Sequence, residues 1–359
     1  MKVCVFGLRG FPQIQGGVEK HCETLYSGFD SKHHFVVFRR RPYVTSNATY
    51  PNITFVDLPS TRLKGFEAVL HSFLSAINIA FRRSDIVHIH NIGPALFAPI
   101  IRMAGLKVVL TYHSPNYEHA KWGFWARNLL KLSEKIAFAS ANAVIFVNKF
   151  QMGKAIQAYH FRKAFYIPNG IPDAVTTNKT DYLDTLGVCA GKYILSVGRI
   201  TPEKGFDLLI EAFNEVCTEQ QDIKLVIAGG VEGEAEYAQL IEKLAAENDK
   251  IVFTGYIYGD ELYQLYTHAM LYVLASRNEG FPLVLLEAMS YGLDVLVSDI
   301  PATHLVKLAP EDYFTVNNKE DLALKLRDKI KDKQSRTYDL SDYDWSDISK
   351  QTEEVYFNV

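Results

Sequence analysis

The sequence reads Ser276-Arg277-Asn278-Glu279-Gly280-Phe281-Pro282-Leu283-Val284-Leu285-Leu286-Glu287-Ala288-Met289 shortly after an apolar run that ends near Leu274. This order predicts a buried strand, a polar loop with glycine and proline, and a helix that begins around Leu283. Backbone N–H groups at such a helix start lack intrahelical partners and attract phosphate. Glu279 lies in the loop and Glu287 two turns into the helix, so both carboxylates can accept hydrogen bonds from hydroxyl groups in one pocket. A structural loop followed by an ordinary amphipathic helix would show the same spacing, so the stretch alone leaves both interpretations open.

The same strand-and-helix unit recurs through the second half of the chain. Short runs rich in β-branched residues alternate there with segments that carry apolar residues at helical spacing. The predicted strands are Tyr193 to Val197, Leu225 to Ala228, Ile251 to Thr254, Leu271 to Leu274 and Asp294 to Val297. The predicted helices are Lys204 to Cys217, Glu234 to Glu247, Gly259 to His268 and Leu283 to Tyr291. A further helix, Lys319 to Lys333, carries mixed charges that indicate a solvated face.

The first half of the chain shows an independent series of the same kind. Its predicted strands are Val3 to Phe6, Phe35 to Phe38, Ile53 to Asp57, Ile86 to Ile89, Val108 to Thr111 and Ala143 to Val147. Its predicted helices are Val18 to Gly28, Phe66 to Phe81 and Trp122 to Ala139. The series pauses at Ile167-Pro168-Asn169-Gly170-Ile171-Pro172, where prolines flank a turn signal. The chain is therefore predicted to be α/β, with two doubly wound parallel-sheet (Rossmann-like) domains that face an interdomain cleft, where ligands commonly bind.

Composition excludes several other classes of protein. The chain has 359 residues, of which 48% are hydrophobic and 22% charged, values typical of a globular protein with two cores. The four cysteines, Cys4, Cys22, Cys189 and Cys217, form no CxxC pair and are interpreted as buried free thiols of a reducing compartment. Met1 leads straight into an apolar strand, which is not typical of a secretion signal, and no apolar run reaches the length of a membrane span. We therefore expect a cytoplasmic protein.

Charge is divided unevenly between the two halves. Residues 1–167 contain 21 Lys and Arg against 8 Asp and Glu, whereas the remainder contains 17 against 33. Such asymmetry indicates that the first half faces an anionic partner, although a coincidence of solvated faces would give the same counts. No nucleic-acid recognition motif accompanies the basic half, so an anionic membrane surface is the favoured partner.

A pair of cations follows the first strand of the second half. The sequence Val197-Gly198-Arg199-Ile200-Thr201-Pro202-Glu203-Lys204-Gly205 presents Arg199 and Lys204 at the carboxyl end of that strand. Two cations with glycines nearby suit a diphosphate, whose charge has to be neutralised when it departs as a leaving group. A pair of surface cations on a loop is the alternative interpretation.

Two features of the first half also point to ligand binding. Gly16-Gly17-Val18-Glu19 follows the first strand and its loop, and paired glycines before a helix allow phosphate or a hydroxylated ligand to approach the backbone. This is not a GxGxxG fingerprint, and such pairs often make simple turns. His88 and His90 lie at strand spacing and point to one face, and His113 ends the next strand. A metal would need more ligands than that pair, so no metal site is predicted.

These motifs together closely resemble the retaining GT-B glycosyltransferases (family 4-like, group 1), a large family that includes sucrose synthase and bacterial lipopolysaccharide transferases. The E-x7-E motif of the family, written loosely EGFxxxxxEAM, is matched by Glu279-Gly280-Phe281-Pro282 through Glu287-Ala288-Met289. The pattern G-R-L-x-x-E-K-G is matched from Gly198 to Gly205, with Ile200 in place of leucine. Gly16 to Glu19 match the GGxE of the family, and the matches span nearly the whole chain.

The resemblance implies a role for each matched residue. It implies that Glu279 contacts hydroxyls of the donor sugar, that Glu287 binds the nucleotide ribose and that His113 lies beside the donor sugar. The implied catalytic residues are His113, Arg199, Lys204 and Glu279. The implied donor-binding residues are Gly16, Gly17, Gly198, Gly230, Tyr256, Gly280, Phe281, Pro282, Leu283 and Glu287. The resemblance implies no metal and no cofactor besides a nucleotide-diphosphate sugar as the donor substrate.

The resemblance also implies an organisation and a reaction. Residues 1–167 would bind a saccharide or lipid-linked saccharide acceptor, residues 168–340 would bind the nucleotide sugar, and residues 341–359 would form a terminal helix that crosses back to the first domain. The reaction would move a sugar to an acceptor hydroxyl with retention of configuration, in the synthesis of a bacterial surface polysaccharide, lipopolysaccharide or other glycolipid.

A peripheral position on the inner face of the cytoplasmic membrane fits the basic first half. The residues that would meet anionic lipid are Arg39, Arg40, Arg41, Arg62, Lys64, Arg82 and Arg83, with Lys121-Trp122-Gly123-Phe124-Trp125 followed by Arg127, Lys131 and Lys135. Tryptophans beside cations are typical of membrane interfaces, although core tryptophans are an equal alternative.

Three other functions fit the motifs of the chain less well. A nucleotide-sugar epimerase shares the fold but has no reason to carry E-x7-E. A dehydrogenase would need a GxGxxG turn after a strand, and a periplasmic binding protein would lack Arg199 and Lys204.

Overall fold

The computed structural model describes residues 1–359 except 15, 45, 47, 62, 64, 65, 116, 118–122, 162, 172, 219–221 and 232–234. The chain divides into two compact units. Unit 1 comprises residues 1–170 and 342–359, and unit 2 comprises residues 171–341.

Unit 1 is built on a seven-stranded parallel sheet with the strand order β3-β2-β1-β4-β5-β6-β7. The strands are β1 (Lys2–Phe6), β2 (His34–Arg40), β3 (Ile53–Leu58), β4 (Ile86–His90), β5 (Lys107–Tyr112), β6 (Ala143–Phe146) and β7 (Ala164–Tyr166). The helices that connect them are α1 (Gly17–Ser27), α2 (Phe66–Ala80), α3 (Ala98–Met103), α4 (Phe124–Ser140) and α5 (Lys149–Ala158). Buried apolar clusters cover both faces of the sheet, which is why its strands read as continuous apolar runs.

Unit 2 repeats the plan on a six-stranded sheet with the order β10-β9-β8-β11-β12-β13. Its strands are β8 (Tyr193–Val197), β9 (Lys224–Ala228), β10 (Ile251–Gly255), β11 (Leu271–Leu274), β12 (Asp294–Ser298) and β13 (Tyr313–Phe314). Its helices are α6 (Asp181–Thr185), α7 (Phe206–Val216), α8 (Ala235–Ala245), α9 (Asp260–His268), α10 (Leu283–Ser290) and α11 (Lys319–Lys331). The last helix of the chain, α12 (Trp345–Phe357), belongs to unit 1.

Two parallel doubly wound sheets confirm the predicted α/β class. Each sheet has its first strand near the centre and reverses its strand order between that strand and the fourth, the arrangement in which ligands bind beyond the carboxyl ends of strands. Within the described part of the chain, no helix is both long enough and apolar enough to cross a membrane.

Three local predictions need correction. The helix predicted from Lys204 is interrupted, because Gly205 adopts φ +65° and separates the 3-10 turn Pro202–Lys204 from α7. The mixed-charge helix α11 is not simply solvated, since Lys329 is buried beside the core residues Leu322 and Leu326. The four cysteines are free as expected, but Cys189 is exposed rather than buried.

Candidate functional site

In unit 2, the loops that follow β8 and β11 leave the same edge of the sheet because the two strands are parallel neighbours. The loop after β8 carries Arg199 and Lys204, and the loop after β11 carries Glu279. The Lys204 ammonium lies 2.5 Å from Glu279 Oε1, and the Ser276 hydroxyl donates to the same oxygen at 2.7 Å. The side chains of Lys204 and Glu279 are only 16% and 11% exposed. The structure therefore joins two of the predicted catalytic residues in one largely buried ion pair.

A second ion pair fixes the two loops to each other. The Arg277 guanidinium donates to both carboxylate oxygens of Asp207 at 2.8 and 2.7 Å, and also to the Pro202 carbonyl at 2.7 Å. Burial by itself would raise the pKa of Asp207, but the hydrogen bonds from Arg277 and Tyr237 together outweigh that effect and lower the pKa. A bidentate pair of this kind holds the backbone that presents Lys204 and Glu279.

Backbone hydrogen bonds connect the predicted donor-binding loops of unit 2. The amide of Ile200 donates to the Gly230 carbonyl at 3.0 Å, and that of Gly229 donates to the Gly255 carbonyl at 2.9 Å. A Cβ on Gly205 would collide with the Ala275 carbonyl, so only glycine fits between the two loops. Gly198, Gly230 and the half-exposed Tyr256 thus lie on adjacent, mutually bonded loops.

The segment before α10 differs in one respect from the predicted phosphate-facing helix start. The Leu283 amide donates to the Phe281 carbonyl at 3.0 Å, and the amides of Leu285 and Leu286 donate to the Pro282 carbonyl. The Leu283 amide is therefore already engaged in a hydrogen bond.

Glu287 lies in the second turn of α10, where the Tyr266 hydroxyl donates to its Oε2 at 3.1 Å. Burial raises the pKa of Tyr272 well above its usual value, and the charges of Glu287 and Glu279 raise it further. Both carboxylates of the E-x7-E motif therefore lie near one tyrosine of β11, which sequence spacing had not identified.

In unit 1, the glycine pair begins α1. Gly16 has φ +150°, and a Cβ there would collide with the Glu19 carboxylate. Glu19 accepts a hydrogen bond from the Arg9 amide at 3.0 Å and so anchors the loop that follows β1. Glycine is therefore required at position 16 by close packing against Glu19 at the helix start.

Buried histidines of unit 1 form a network around Tyr26. The Tyr26 hydroxyl lies 2.6 Å from His90 Nε2 and 2.9 Å from His88 Nδ1. His90 Nδ1 lies 3.0 Å from His113 Nε2. The Tyr356 hydroxyl of α12 lies 2.7 Å from His88 Nδ1, which ties the last helix to the centre of the unit. This network joins His113 to the pair on β4.

Burial keeps these histidines neutral. It lowers the pKa of His88 to about 3, with a smaller contribution from His21, and lowers that of His21 to about 4 against the effect of Asn169. Burial also takes the pKa of His90 and His113 well below the usual value, and neighbouring histidines add to the effect. A neutral His113 can donate and accept hydrogen bonds but carries no charge at neutral pH.

Two cations of the predicted lipid-facing set are buried instead. Arg39 donates to both carboxylate oxygens of Asp57 at 2.7 and 3.0 Å and stacks on Phe55. Arg40 pairs with Glu67 at 3.3 Å. The prediction that Arg39 and Arg40 meet lipid is therefore wrong, because both charges are neutralised within unit 1.

The aromatic segment at the start of α4 is exposed. Phe124 and Trp125 are 72% and 83% exposed. The cations Arg127, Lys131 and Lys135 and the apolar Leu129 and Leu132 are exposed on the same helix, and Arg41 and Arg83 are exposed elsewhere in unit 1. Arg82 is partly buried and donates to Asn78. Arg62, Lys64, Lys121 and Trp122 lie outside the described residues.

Several residues of these sites were missed by sequence reasoning. Arg277 lies inside the quoted stretch, but its partner Asp207 is 70 residues away and nothing in the spacing pairs them. His21 of α1 packs against His113 with ring centroids 5.0 Å apart, and only the three-dimensional structure brings it there. Tyr26 and Tyr356 carry no motif.

Two family profiles match the chain. The first, described as Glycosyltransferase Family 4, matches residues 15–175, and the second, described as Glycosyl transferases group 1, matches residues 190–340. Each profile falls largely within one of the two units.

Individual proteins resemble nearly the whole chain, one of them in sequence and two of them in fold. The GPI3 subunit of phosphatidylinositol N-acetylglucosaminyltransferase from Saccharomyces cerevisiae is 25% identical, over 97% of this chain and 81% of that protein. A sucrose-phosphate synthase structure from Thermosynechococcus elongatus superposes with a TM-score of 0.84 at 21% identity, covering 99% of this chain and 98% of that one. Anabaena HepE, solved with UDP and glucose, superposes with a TM-score of 0.79 at 19% identity over the whole of both chains.

Proposed function

The chain belongs to the GT-B glycosyltransferases, and on that premise we propose that it transfers a sugar from a nucleoside-diphosphate sugar to an acceptor hydroxyl with retention of configuration. The observation that carries the proposal is the ion pair between Lys204 and Glu279 at the edge of the unit 2 sheet. A cation and a carboxylate at one point suit a ligand that presents both phosphate charge and hydroxyl groups.

The proposed donor contacts follow from this chemistry. Arg199 and Lys204 neutralise the diphosphate, Glu279 accepts from sugar hydroxyls and Glu287 accepts from the ribose. Backbone groups of Gly198, Gly230 and of the segment Gly280 to Leu283 complete the contacts, with Tyr256 near the base. In unit 1, Gly16 and Gly17 approach the pyrophosphate and His113 contacts the sugar. The UDP bound to Anabaena HepE supports a nucleotide ligand for this fold.

The proposed mechanism is front-face displacement. The bond between the anomeric carbon and the phosphate oxygen breaks as the acceptor oxygen attacks the same face, and the departing phosphate takes the acceptor proton. Lys204 and Arg199 stabilise the charge that develops on the leaving diphosphate. These cations perform the role that a metal ion has in other transferases, so we propose that transfer needs no metal.

We place the acceptor among membrane lipids or lipid-linked saccharides. The name of the yeast relative couples a glycosyltransferase to phosphatidylinositol, and the exposed aromatic and cationic face of α4 suits an anionic bilayer. A role in surface polysaccharide, lipopolysaccharide or other glycolipid synthesis, on the inner face of the cytoplasmic membrane, follows from such an acceptor. Both matched profiles describe glycosyltransferases, so the alternative of a nucleotide-sugar epimerase is not favoured.

Donor binding is tested by thermal stabilisation. Purified protein is melted with UDP-, GDP- and dTDP-sugars and with each free nucleotide, since a ligand that binds only the folded state raises the Tm. We expect one nucleotide class to raise the Tm, and the Lys204→Ala variant to lose that shift. An unchanged Tm with every donor would refute the proposed function.

A further inference from the structure

Three histidines of unit 1 converge on one point. His21 of α1, His90 at the end of β4 and His113 after β5 each place one ring nitrogen within 4.8 Å of the other two. All three side chains are buried. The sequence offered only two histidines at strand spacing, which is too few for a metal. The fold brings His21 and His113 beside His90 and so makes a set of three.

The spacing of the three rings suits a tetrahedral cation. Their centroids are 5.0, 5.3 and 5.7 Å apart. A zinc ion bound by imidazoles at about 2.0–2.1 Å brings the nitrogen atoms to roughly 3.4 Å and the ring centroids to about 5 Å from one another. Only small side-chain movements therefore separate the observed arrangement from a three-histidine site.

His21 provides an independent observation. It is almost fully buried, and neither of its ring nitrogens meets the distance and angle of a hydrogen bond with the described residues, although Asn169 lies near enough to oppose the lowering of its pKa. A buried polar group without a partner costs free energy, so a side chain held in this way at the convergence point is suited to a ligand. His90 is oriented by the Tyr26 hydroxyl at its other nitrogen, as the ligands of metal sites usually are.

We propose that His21, His90 and His113 bind a zinc-like transition-metal cation, with a fourth position open to water. The cation takes the place of the one proton shared between His90 Nδ1 and His113 Nε2. That proton moves to the other nitrogen of its own ring, so three neutral imidazoles bind the cation without net loss of protons. Imidazole ligands favour Zn²⁺, Co²⁺, Ni²⁺ and Cu²⁺ over Mg²⁺ and Ca²⁺.

The consequence for activity rests on the proposed function. His113 is proposed to contact the donor sugar, and a bound cation would withdraw its Nε2 and fill the space beside it. Zn²⁺ therefore acts as an inhibitor of transfer, and a chelator leaves the metal-free activity intact.

The test is a titration of the full chain with Co²⁺ after chelator treatment. We expect the visible absorption of tetrahedral Co²⁺ to appear with one equivalent, Zn²⁺ to abolish it and Mg²⁺ to leave it unchanged. The His21→Phe variant should bind at least 100-fold more weakly. The matched control is His71→Phe, because His71 is likewise buried with both ring nitrogens lacking partners but lies on α2 outside the cluster.

The same experiment distinguishes a loss of metal binding from a loss of folded protein. His21→Phe removes two buried nitrogens that make no well-formed hydrogen bond, so its Tm should equal or exceed that of the wild type. His21→Leu serves as a second variant. Absence of the Co²⁺ absorption in the wild type, or wild-type binding by His21→Phe or His21→Leu, would overturn the proposal. Metal binding without any donor-induced change in Tm would refute the transferase instead, since the two measurements are independent.

Discussion

Lys204 and Glu279 come from loops 75 residues apart and share a contact of 2.5 Å. A lysine at a strand end and a glutamate in a glycine-rich loop are unremarkable singly, and each is common on protein surfaces. Their burial as a pair, with Ser276 on the same carboxylate oxygen, places opposite charges where a phosphorylated and hydroxylated ligand can exchange for them. The residues that carry the proposed chemistry are therefore already oriented before a ligand arrives.

We expect Lys204→Ala and Glu279→Gln each to lower kcat/KM for transfer by 100-fold or more, because each removes a charge-assisted contact to the donor in the transition state. The control is Lys179→Ala, which breaks the comparable pair with Asp260, whose side chains are 64% and 52% exposed. Steady-state kinetics on the three purified variants would measure this. Equal losses in the control and the two site variants would contradict the assignment.

At this scale the sequence identified the residue types but not their partners. The spacing of Glu279 and Glu287, with Lys204 after a strand, was readable because parallel strands bring their carboxyl ends to one edge. The position of His21 could not be predicted, since nothing in the sequence of an amphipathic helix shows that one of its histidines faces two others in the folded unit. The prediction for Arg39 and Arg40 failed because a run of arginines is typical of a solvated surface. Their partners Asp57 and Glu67 are distant in the sequence and lie beside them only in the fold.

Helix α4 combines exposed aromatic residues with exposed cations. Phe124 and Trp125 begin it, and Lys131 and Lys135 follow on later turns, where all four are exposed. Exposed aromatic rings cost free energy in water and are stabilised at the boundary of a bilayer, where neighbouring cations attract anionic headgroups.

We expect the full chain to float with vesicles that contain phosphatidylglycerol at low salt, and not with vesicles of phosphatidylcholine alone. Replacing both Phe124 and Trp125 by Ser should weaken binding at least tenfold, because two interfacial side chains are lost. Leu324→Ser, which alters an exposed apolar residue of unit 2, is the control. Flotation of the double variant at the wild-type level would contradict a role for this helix.

Helix α11 contributes a buried cation to a network of ion pairs inside unit 2. Lys329 contacts Asp294 at 2.8 Å and Asp312 at 2.5 Å, and Arg336 contacts the same two carboxylates. The two aspartates are almost fully buried, so removal of the lysine leaves them with a single cation between them.

Lys329→Met should therefore lower the free energy of unfolding of unit 2 by about 3–5 kcal/mol, the usual cost of removing one partner from a buried ion pair. Lys331→Met, at an exposed position of the same helix, should change it by less than about 0.5 kcal/mol. Urea unfolding followed by circular dichroism would measure both. A loss below about 1 kcal/mol for Lys329→Met would show that the network is dispensable.

Long, apolar or strongly periodic elements were predictable, and short edge elements were not. The central strands β8 and β11 begin and end at the predicted residues because burial on both faces makes them largely apolar. The edge strands β7 and β13, of three and two residues, were missed because so few residues carry no pattern. The break at Gly205 was also missed, since only the folded chain shows that this residue is left-handed and lies against the Ala275 carbonyl of another loop.

At the scale of the whole molecule, the two units differ in how they should respond to acid. The strongly buried histidines are in unit 1, whereas His268 and His304, the histidines of unit 2, are at least partly exposed. Burial lowers the pKa of His71 to about 4, with Arg40 adding to the effect, and that of His21 to about 4. Because the unfolded chain binds protons near pH 6.5, these groups stabilise unit 1 fully above that pH and progressively less down to about pH 4.

We expect unit 1 to lose about 2 kcal/mol of stability for each of these two histidines between pH 6.5 and pH 5. All three tryptophans belong to unit 1, so tryptophan fluorescence during urea unfolding reports on this unit. His71→Phe should reduce the acid-induced loss by about 2 kcal/mol, whereas replacement of the exposed His304 by Phe should leave it unchanged. A loss of the same size in all three proteins would contradict the titration of His71.

The central claim, transfer of a sugar from a nucleoside-diphosphate donor, is tested most directly by following the donor itself. UDP-, GDP- and dTDP-sugars are incubated with the protein and vesicles of anionic lipid, and the products are identified by mass spectrometry. We predict release of one nucleoside diphosphate together with a lipid that carries the sugar, and formation of both products at least about 100-fold slower with Lys204→Ala. Intact nucleotide sugar that has changed only its sugar configuration, or no release from any donor, would contradict the account.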